Sequence, residues 1–338
     1  MIRIAINGFG RIGRNILRAF YEQPHYKSYI EIVAINDLAK IEHSFHLLKY
    51  DSVHGKFSRN MSYSENSISI NNHKIPYYSV KEVEKLPWKD LDVDLVFDCT
   101  GKFTTKEKAL GHIYAGAKKV LVSAPCENAD KTIVYGMNDD SININDIIIS
   151  NASCTTNCLA PILGIIHSEY NVNNALMTTI HSYTGDQRLI DTDHSDLFRA
   201  RAANLSMIPS KTGAAKAIGL IIPELNGKVN GMAVRVPTPN VSLVDLTCVV
   251  NKIISKEDIN NLFKNKIEQK IYKGIIGYND EDLVSIDFNH SNYSSIFDSK
   301  HTMVNDNVIK VMAWYDNEWG FSNRMLDVAI SILKQKAF

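Results

Sequence analysis

The chain has 338 residues, 45% of them hydrophobic and 22% charged, with 37 basic and 37 acidic side chains. That length exceeds what one simple core fills and leads to two domains. The balanced charge removes any global footprint for nucleic acid or an anionic membrane, so an anionic ligand has to be held by a local cluster.

Five cysteines, Cys99, Cys126, Cys154, Cys158 and Cys248, show no framework spacing, which fits a reducing compartment. Cys154 and Cys158 are four apart, but no second Cys/His pair stands at ligand spacing, so no metal is expected. His43 and His46 lie one turn apart and are taken as a helix face. No signal-type segment precedes a first strand beginning at residue 2, and no apolar run approaches the roughly 20 residues of a membrane span. A cytoplasmic location is expected.

In chain order, Ile2–Ile6 is a β-favouring run, and Asn7-Gly-Phe-Gly-Arg-Ile-Gly13 turns it into a helical pattern with Ile12, Ile16, Leu17 and Phe20 on one side. Gly8, Gly10 and Gly13 thus form G-x-G-x-x-G between a strand and a helix, the context in which the backbone of Arg11 and Ile12 meets a pyrophosphate. The next strand, Glu31–Asn36, ends at Asp37, 24 residues after Gly13. A carboxylate there accepts hydrogen bonds from an adenosine ribose and repels a 2′-phosphate, so NAD is expected over NADP. Strand-like runs follow at Val93–Cys99, Lys119–Ser123 and Ile147–Ser150, with a helical pattern at Lys106–Ala117. This alternation predicts a mostly parallel, doubly wound α/β sheet whose ligands sit at the carboxyl ends of the strands, where Thr100 and Ser123 stand.

Asn151-Ala-Ser-Cys-Thr-Thr-Asn-Cys158 follows the third of these runs and precedes an apolar helical segment. Cys154 falls in the first helical turn, where free N–H groups and the helix dipole favour a thiolate. Most intracellular cysteines are small buried hydrophobes. Cys154 is the candidate nucleophile because of where the turn places it.

Beyond it, Met177–His181 delivers a histidine, and residues 182–206 form a long irregular stretch of the kind usually tied to function. Thr212-Gly-Ala-Ala-Lys-Ala217 starts a helix whose first turn is a second potential anion site. Runs at Met232–Val236, Leu243–Val250 and Val308–Tyr315 predict a second domain with a largely antiparallel sheet. A final helix over Asn323–Lys334 carries Met325, Leu326, Val328, Ala329 and Leu333. The expected division is 1–152 for the dinucleotide domain and 153–315 for the catalytic one, with a C-terminal helix in 316–338 docking back onto the first.

Six segments in unbroken order, Asn7-Gly-Phe-Gly-Arg-Ile-Gly-Arg14, Ala152-Ser-Cys-Thr-Thr-Asn157, His181-Ser-Tyr-Thr184, Thr212-Gly-Ala-Ala-Lys216, Arg235-Val-Pro-Thr-Pro-Asn240 and Trp314-Tyr-Asp-Asn-Glu318, resemble the phosphorylating glyceraldehyde-3-phosphate dehydrogenase family. The resemblance implies a Rossmann domain and an α+β catalytic domain, with NAD as cofactor and with glyceraldehyde 3-phosphate and inorganic phosphate as substrates. It implies that Cys154 forms a hemithioacetal and then a thioester, that His181 pairs with the thiol as base, and that the Cys154 N–H and His181 hold the oxyanion. Thr184 and Arg235, with Asp186 adjoining, would hold the substrate phosphate. Ser153, Thr155, Arg199, Thr212 and Gly213 would receive inorganic phosphate, with Arg201 a competitor for the role of Arg199. Asn317 would meet the nicotinamide carboxamide, and a homotetramer is implied in which 182–206 lines a neighbour's cofactor site.

Three departures from the family pattern stand out. Thr192-Asp193 replaces a Leu-Pro pair, Phe321 replaces a tyrosine, and Cys126 introduces a thiol whose exposure the sequence leaves open. Two rival readings are an erythrose-4-phosphate dehydrogenase with the same Cys/His chemistry and a non-catalytic dinucleotide- or RNA-binding protein. Intact Thr184 and Thr212-Gly-Ala-Ala-Lys216 speak against the first. Retention of Cys154 and His181 and the zero net charge speak against the second.

Overall fold

The structure is a computed structural model that describes residues 1–335. Contacts divide the chain into two units, Met1–Ala152 with Ser322 onward, and Ser153–Phe321. Positions 336–338 of the expected C-terminal helical segment lie outside the described residues.

The first unit runs β1 (Ile2–Asn7), α1 (Arg11–Glu22), β2 (Ile30–Asn36), α2 (Ile41–Lys49), a two-rung hairpin β3 (Tyr50–Asp51) and β4 (Gly55–Lys56), then β5 (Met61–Ser64), β6 (Ser67–Ile70), β7 (His73–Tyr78), β8 (Leu95–Asp98), α3 (Lys106–Tyr114), β9 (Lys119–Val122), β10 (Lys131–Thr132) and β11 (Ile148–Ser150). Nine of these strands form one sheet in the order β10-β11-β9-β8-β1-β2-β7-β6-β5. It is parallel from β10 to β7. Ile2, Ile4, Ala5 and Ile6 are all buried because β1 lies mid-sheet, where a parallel strand is covered on both faces. The chain builds outward from β1 in both directions, so β1 marks the switch point.

One part of this sheet is absent from the sequence-based expectation. β5, β6 and β7 form an antiparallel meander on its edge. The turn between β6 and β7 is Asn71-Asn72, both with positive φ (49° and 67°), the conformation that matches a hairpin's right-handed twist. The period-two alternation Ile68/Ile70, Ile75/Tyr77 was present in the sequence, but Ser and Asn diluted its hydrophobicity.

At the carboxyl ends of β1, β2 and β8 a buried polar network fixes the floor of the switch point. Asn7 Nδ2 donates to Asp98 (2.8 Å), Asn36 Nδ2 donates to Asn7 Oδ1 (2.8 Å), and the Thr100 hydroxyl donates to Asp98 Oδ1 (2.8 Å). Trp88 Nε1 donates to His112 Nδ1 (3.0 Å), so the ring proton is on Nε2, which faces the same carboxylate at 3.2 Å. His112→Leu leaves a buried indole N–H and a carboxylate lone pair without partners. It is expected to cost about 2–4 kcal/mol, read as a lowered urea midpoint with an unchanged slope.

The second unit runs α4 (Cys154–Tyr170), β12 (Val172–Ser182), β13 (Ile208–Lys211), α5 (Ala214–Ile221), β14 (Val229–Val236), β15 (Ser242–Val250), α6 (Lys256–Lys266), β16 (Ile276–Asn279), β17 (Ser295–Asn305) and β18 (Val308–Tyr315). Its sheet has the order β13-β14-β12-β15-β18-β17-β16. The pairs β12–β14 and β16–β17 are parallel and the others antiparallel. β12 begins five residues before the strand expected at Met177, because a register shift between Val172 and Asn174 and two exposed asparagines hide its start. Ala175, Met177, Thr179 and His181 are buried in alternation, the face on which α4 packs. The last helix, α7 (Trp319–Lys334), starts in this unit, and from Ser322 its residues join the first, where Asn323 accepts from Gln23 Nε2 (2.9 Å) and Asp327 from the Tyr26 hydroxyl (3.0 Å).

Candidate active site

Cys154 is the first residue of α4. The Ser153 side chain caps that helix by accepting from Thr156 N at 3.0 Å, and Ala152 before it adopts φ 55°, a left-handed conformation that non-glycine residues seldom take. His181 stands near the end of β12. The packing of α4 across the sheet brings the two together, with Cys154 Sγ 3.5 Å from His181 Nε2. His181 Nδ1 lies 2.7 Å from the Ser182 carbonyl oxygen and donates to it, so the Nε2 lone pair faces the thiol. Arg235 sits in register beside His181 on the parallel strand β14. Its Nη1 donates to the same carbonyl (3.3 Å) and lies 3.0 Å from Nδ1. Tyr315, from the end of β18, meets the His181 ring edge-on and bonds Thr155 and Thr179 through its hydroxyl (2.9 and 2.8 Å).

Burial opposes either charge alone. It pushes the Cys154 thiol up, against Arg235, the Thr155 hydroxyl and the N–H groups of Thr155 and Cys154, which all favour the thiolate. It pushes His181 down to about 3, with the Arg235 guanidinium adding to the effect. A proton passing from Sγ to Nε2 creates both charges at once, 3.5 Å apart, where each offsets the other's desolvation. The helix-end donors expected for Cys154 are therefore present, but they act on a pair rather than on a lone thiol.

The anion-binding candidates differ in how free their donors are. Arg235 is half-buried, and its enclosed Nε has no partner among the described residues, so the protein does not saturate the guanidinium. Arg199 pairs with Asp186 and acts electrostatically on both His181 and Arg235, whereas Arg201 turns outward to Asp191 at 2.7 Å. Thr212 accepts from Ala214 N (3.2 Å) at the start of α5, on a groove of about 820 Å³ that also includes Ser210 and Lys216. Thr184 N donates to Gln187 Oε1 (3.2 Å) in the long segment after β12. Thr155 is 3% exposed with its hydroxyl held by Tyr315, so of the anion candidates it has the least free donor capacity.

In the first unit a cavity of about 410 Å³ is lined by Asn7, Gly8, Gly10, Asn36, Asp37 and Thr100, with Lys81 and Phe103 beside them. Its glycines fit a dinucleotide. Gly8 has φ +90° and a Cβ there would meet Thr100 N at 2.7 Å; a Cβ on Gly13 would meet Gly8 O at 2.2 Å; the space over Gly10 is open. Asp37 accepts from Phe9 N (2.6 Å) and Ala39 N (2.8 Å), which aims the carboxylate and leaves lone pairs for a ribose diol. The Arg11 guanidinium pairs with Asp51, holding that carboxyl near 2, so Arg11 offers a ligand its backbone rather than its charge. Ile12 is half-buried in the same turn. The Ser123 hydroxyl bonds the Cys99 thiol.

Sequence reasoning missed Asn7, Asn36, Tyr315, Ser182 and Ser242. Asn7, Tyr315 and Ser182 lay inside quoted motifs, but only strand ends and register reveal their partners. Cys126 is buried with its thiol pushed up to about 11, which answers the question of its exposure, and Phe321 is 5% exposed.

A glycine-cradled parallel sheet, with a helix-capped thiol facing an imidazole in the same chain, defines a dinucleotide-dependent dehydrogenase. The comparisons agree. The family model described as glyceraldehyde 3-phosphate dehydrogenase, NAD binding domain, matches residues 2–106, and that of the C-terminal domain matches 153–317. The chain is 52% identical over 331 residues to the glyceraldehyde-3-phosphate dehydrogenase of Pseudomonas aeruginosa, 53% over 332 residues to the plasmid-encoded one of Cupriavidus necator, and 49% over 333 residues to that of Geobacillus stearothermophilus, each match covering 98% of both chains. This chain belongs to the glyceraldehyde-3-phosphate dehydrogenase family.

Proposed function

We propose that the chain converts glyceraldehyde 3-phosphate and inorganic phosphate to 1,3-bisphosphoglycerate while reducing NAD. The observation that carries the mechanism is the Cys154–His181 pair flanked by the Arg235 guanidinium, whose Nη1 donates to the Ser182 carbonyl. His181 Nε2 takes the thiol proton as Sγ attacks the aldehyde carbon, giving a hemithioacetal whose oxygen the Cys154 N–H and the imidazolium hold. The imidazolium passes its proton to that oxygen, which gives the hydroxyl and returns Nε2 to the neutral base; His181 then takes the hydroxyl proton back as the carbon loses hydride, leaving a thioester. Phosphate attacks the acyl carbon, the C–S bond breaks, and the acyl phosphate leaves with the thiolate restored. NAD, when bound, supplies the hydride acceptor.

Gly8, Gly10 and Gly13 with the backbone of Arg11 and Ile12 hold its pyrophosphate, Asp37 its ribose, Thr100 and Ser123 its neighbouring half, and Asn317 its carboxamide. Arg235 and Thr184, with Asp186, take the substrate phosphate. Ser153, Arg199, Thr212 and Gly213 take inorganic phosphate, with Thr155 contributing once Tyr315 releases it. Among the described residues no helix is long and apolar enough to cross a membrane. We assign the protein to the cytoplasm and to a homotetramer, the latter supported by exposed Leu189, Ile190, Leu197 and Phe198 in the segment after β12.

NADH formation with the triose and with erythrose 4-phosphate, each with and without inorganic phosphate, tests this reading. Phosphate-dependent turnover that prefers the triose is expected; preference for the tetrose assigns the sister activity instead. Asp193, exposed on the same segment, is expected to repel an NADP 2′-phosphate across the subunit contact. Asp193→Ala should therefore narrow the NAD over NADP preference in kcat/KM by about tenfold or less, as befits a solvent-screened charge. An unchanged ratio removes that role.

A further inference from the structure

Asn317 is 5% exposed, and its carboxamide is held in a way that the reaction alone does not require. Its Oδ1 accepts two hydrogen bonds, from the Ser182 hydroxyl at 2.8 Å and from the Ser242 hydroxyl at 2.9 Å. Its Nδ2 makes none with the described residues. Ser242 Oγ in turn accepts from the Ser182 backbone N–H at 3.1 Å, which directs its own proton away from that nitrogen and onto Asn317.

Ser182 and Ser242 are both fully enclosed, at 0% and 1% exposure. With the amide turned over, Nδ2 would face the two hydroxyl oxygens. One proton could then pass between the hydroxyls, 3.3 Å apart, and the other would have no acceptor. The oxygen-inward orientation is the one that satisfies every donor.

The approach of Ser242 is itself forced. Val241, immediately before it, has φ 67°, a conformation that a β-branched residue adopts only when its surroundings impose it. Ser182 is shared with the base as well, because its carbonyl accepts from His181 Nδ1 at 2.7 Å while its hydroxyl holds Asn317.

We propose that Ser182 and Ser242 are positioning residues that lock Asn317 with its amino group outward, so that it donates to a carbonyl acceptor, the oxygen of the nicotinamide carboxamide. This rests on the reading of Asn317 as the carboxamide's partner. The lock fixes which edge of the carboxamide is recognised and therefore which face of the ring is turned to the hemithioacetal carbon. One residue, Ser182, then aligns the proton acceptor through its backbone and the hydride acceptor through its side chain.

The test compares the affinity of the purified protein for NAD and for ADP-ribose, which lacks the nicotinamide, by titration calorimetry, in wild type, Ser242→Ala and the Ser182→Ala/Ser242→Ala double variant. The double variant is expected to lose about tenfold in NAD affinity with ADP-ribose binding unchanged, Ser242→Ala alone falling between. Transfer of deuteride from the C1-deuterated aldehyde is expected to lose its strict preference for one face of the ring. An NAD to ADP-ribose ratio equal to wild type, or equal losses for both ligands, overturns the lock. Wild type binding NAD no more tightly than ADP-ribose overturns instead the assignment of Asn317 to the carboxamide.

Discussion

Cys154→Ser is expected to lower kcat by about ten-thousand-fold or more, while the affinity for NAD changes little. A serine hydroxyl at this position keeps the helix-end N–H groups, Arg235 and His181 within reach, so what is lost is the chemistry of sulfur. A thiol gives up its proton near neutral pH and attacks carbon strongly as the anion, whereas a hydroxyl is a weak nucleophile that a single imidazole activates poorly. The variant also loses the thioester, whose good leaving group makes phosphate attack fast. Single-turnover mixing should show no acyl-enzyme.

The other thiols supply the control. Cys158 is wholly buried, with Ser295 Oγ 3.3 Å away and its thiol pushed far above the usual range; Cys99 is pushed far up as well, Cys248 to about 12 and Cys126 to about 11. Cys158→Ser should therefore keep turnover within a few-fold of wild type. A Cys154→Ser protein with turnover within tenfold of wild type would sink the covalent mechanism.

Much of this was legible in the chain, and the reasons differ by element. β1 and its glycine loop could be read because a parallel central strand must be continuously apolar and because the turn at Gly8 and the close approach at Gly13 each exclude a Cβ. Cys154 could be placed at a helix start because the Ser153 cap and the apolar run after it carry a local signal. The 61–78 meander was passed over because serines and asparagines mask its alternation.

Register lay beyond the sequence. That Arg235 stands beside His181 follows from the pairing of β12 with β14, which brings together residues 54 positions apart in the chain. The same holds for Ser182 and Ser242 meeting on Asn317, and for Tyr315 bridging Thr155 and Thr179. Sequence patterns carry the spacing within an element, whereas these contacts arise between elements and take their chemistry from a neighbour.

His181→Asn is expected to lower kcat by about a hundred- to ten-thousand-fold, the range for removing a general base, and to move the pH dependence of thiol alkylation upward. The sign follows from the pair. In the wild type the thiol proton can pass to Nε2, and the resulting charges stabilise one another at 3.5 Å, so reactivity towards iodoacetamide is expected to persist below the range of a free thiol. Asparagine offers no such proton acceptor, and the burial that pushes the thiol up is then opposed by Arg235, the Thr155 hydroxyl and the backbone donors alone. The alkylation midpoint should rise to or above the ordinary thiol value of about 8.5, and reaction at neutral pH should slow accordingly. Arg235→Gln acts on the same pair from the other side. Removing the guanidinium withdraws a charge that depresses the imidazole and favours the thiolate, so its effect on alkylation is expected to be small while the KM for the triose phosphate rises. Identical alkylation profiles for wild type and His181→Asn would mean that the imidazole does not share the thiol's proton, and the base would have to be sought elsewhere.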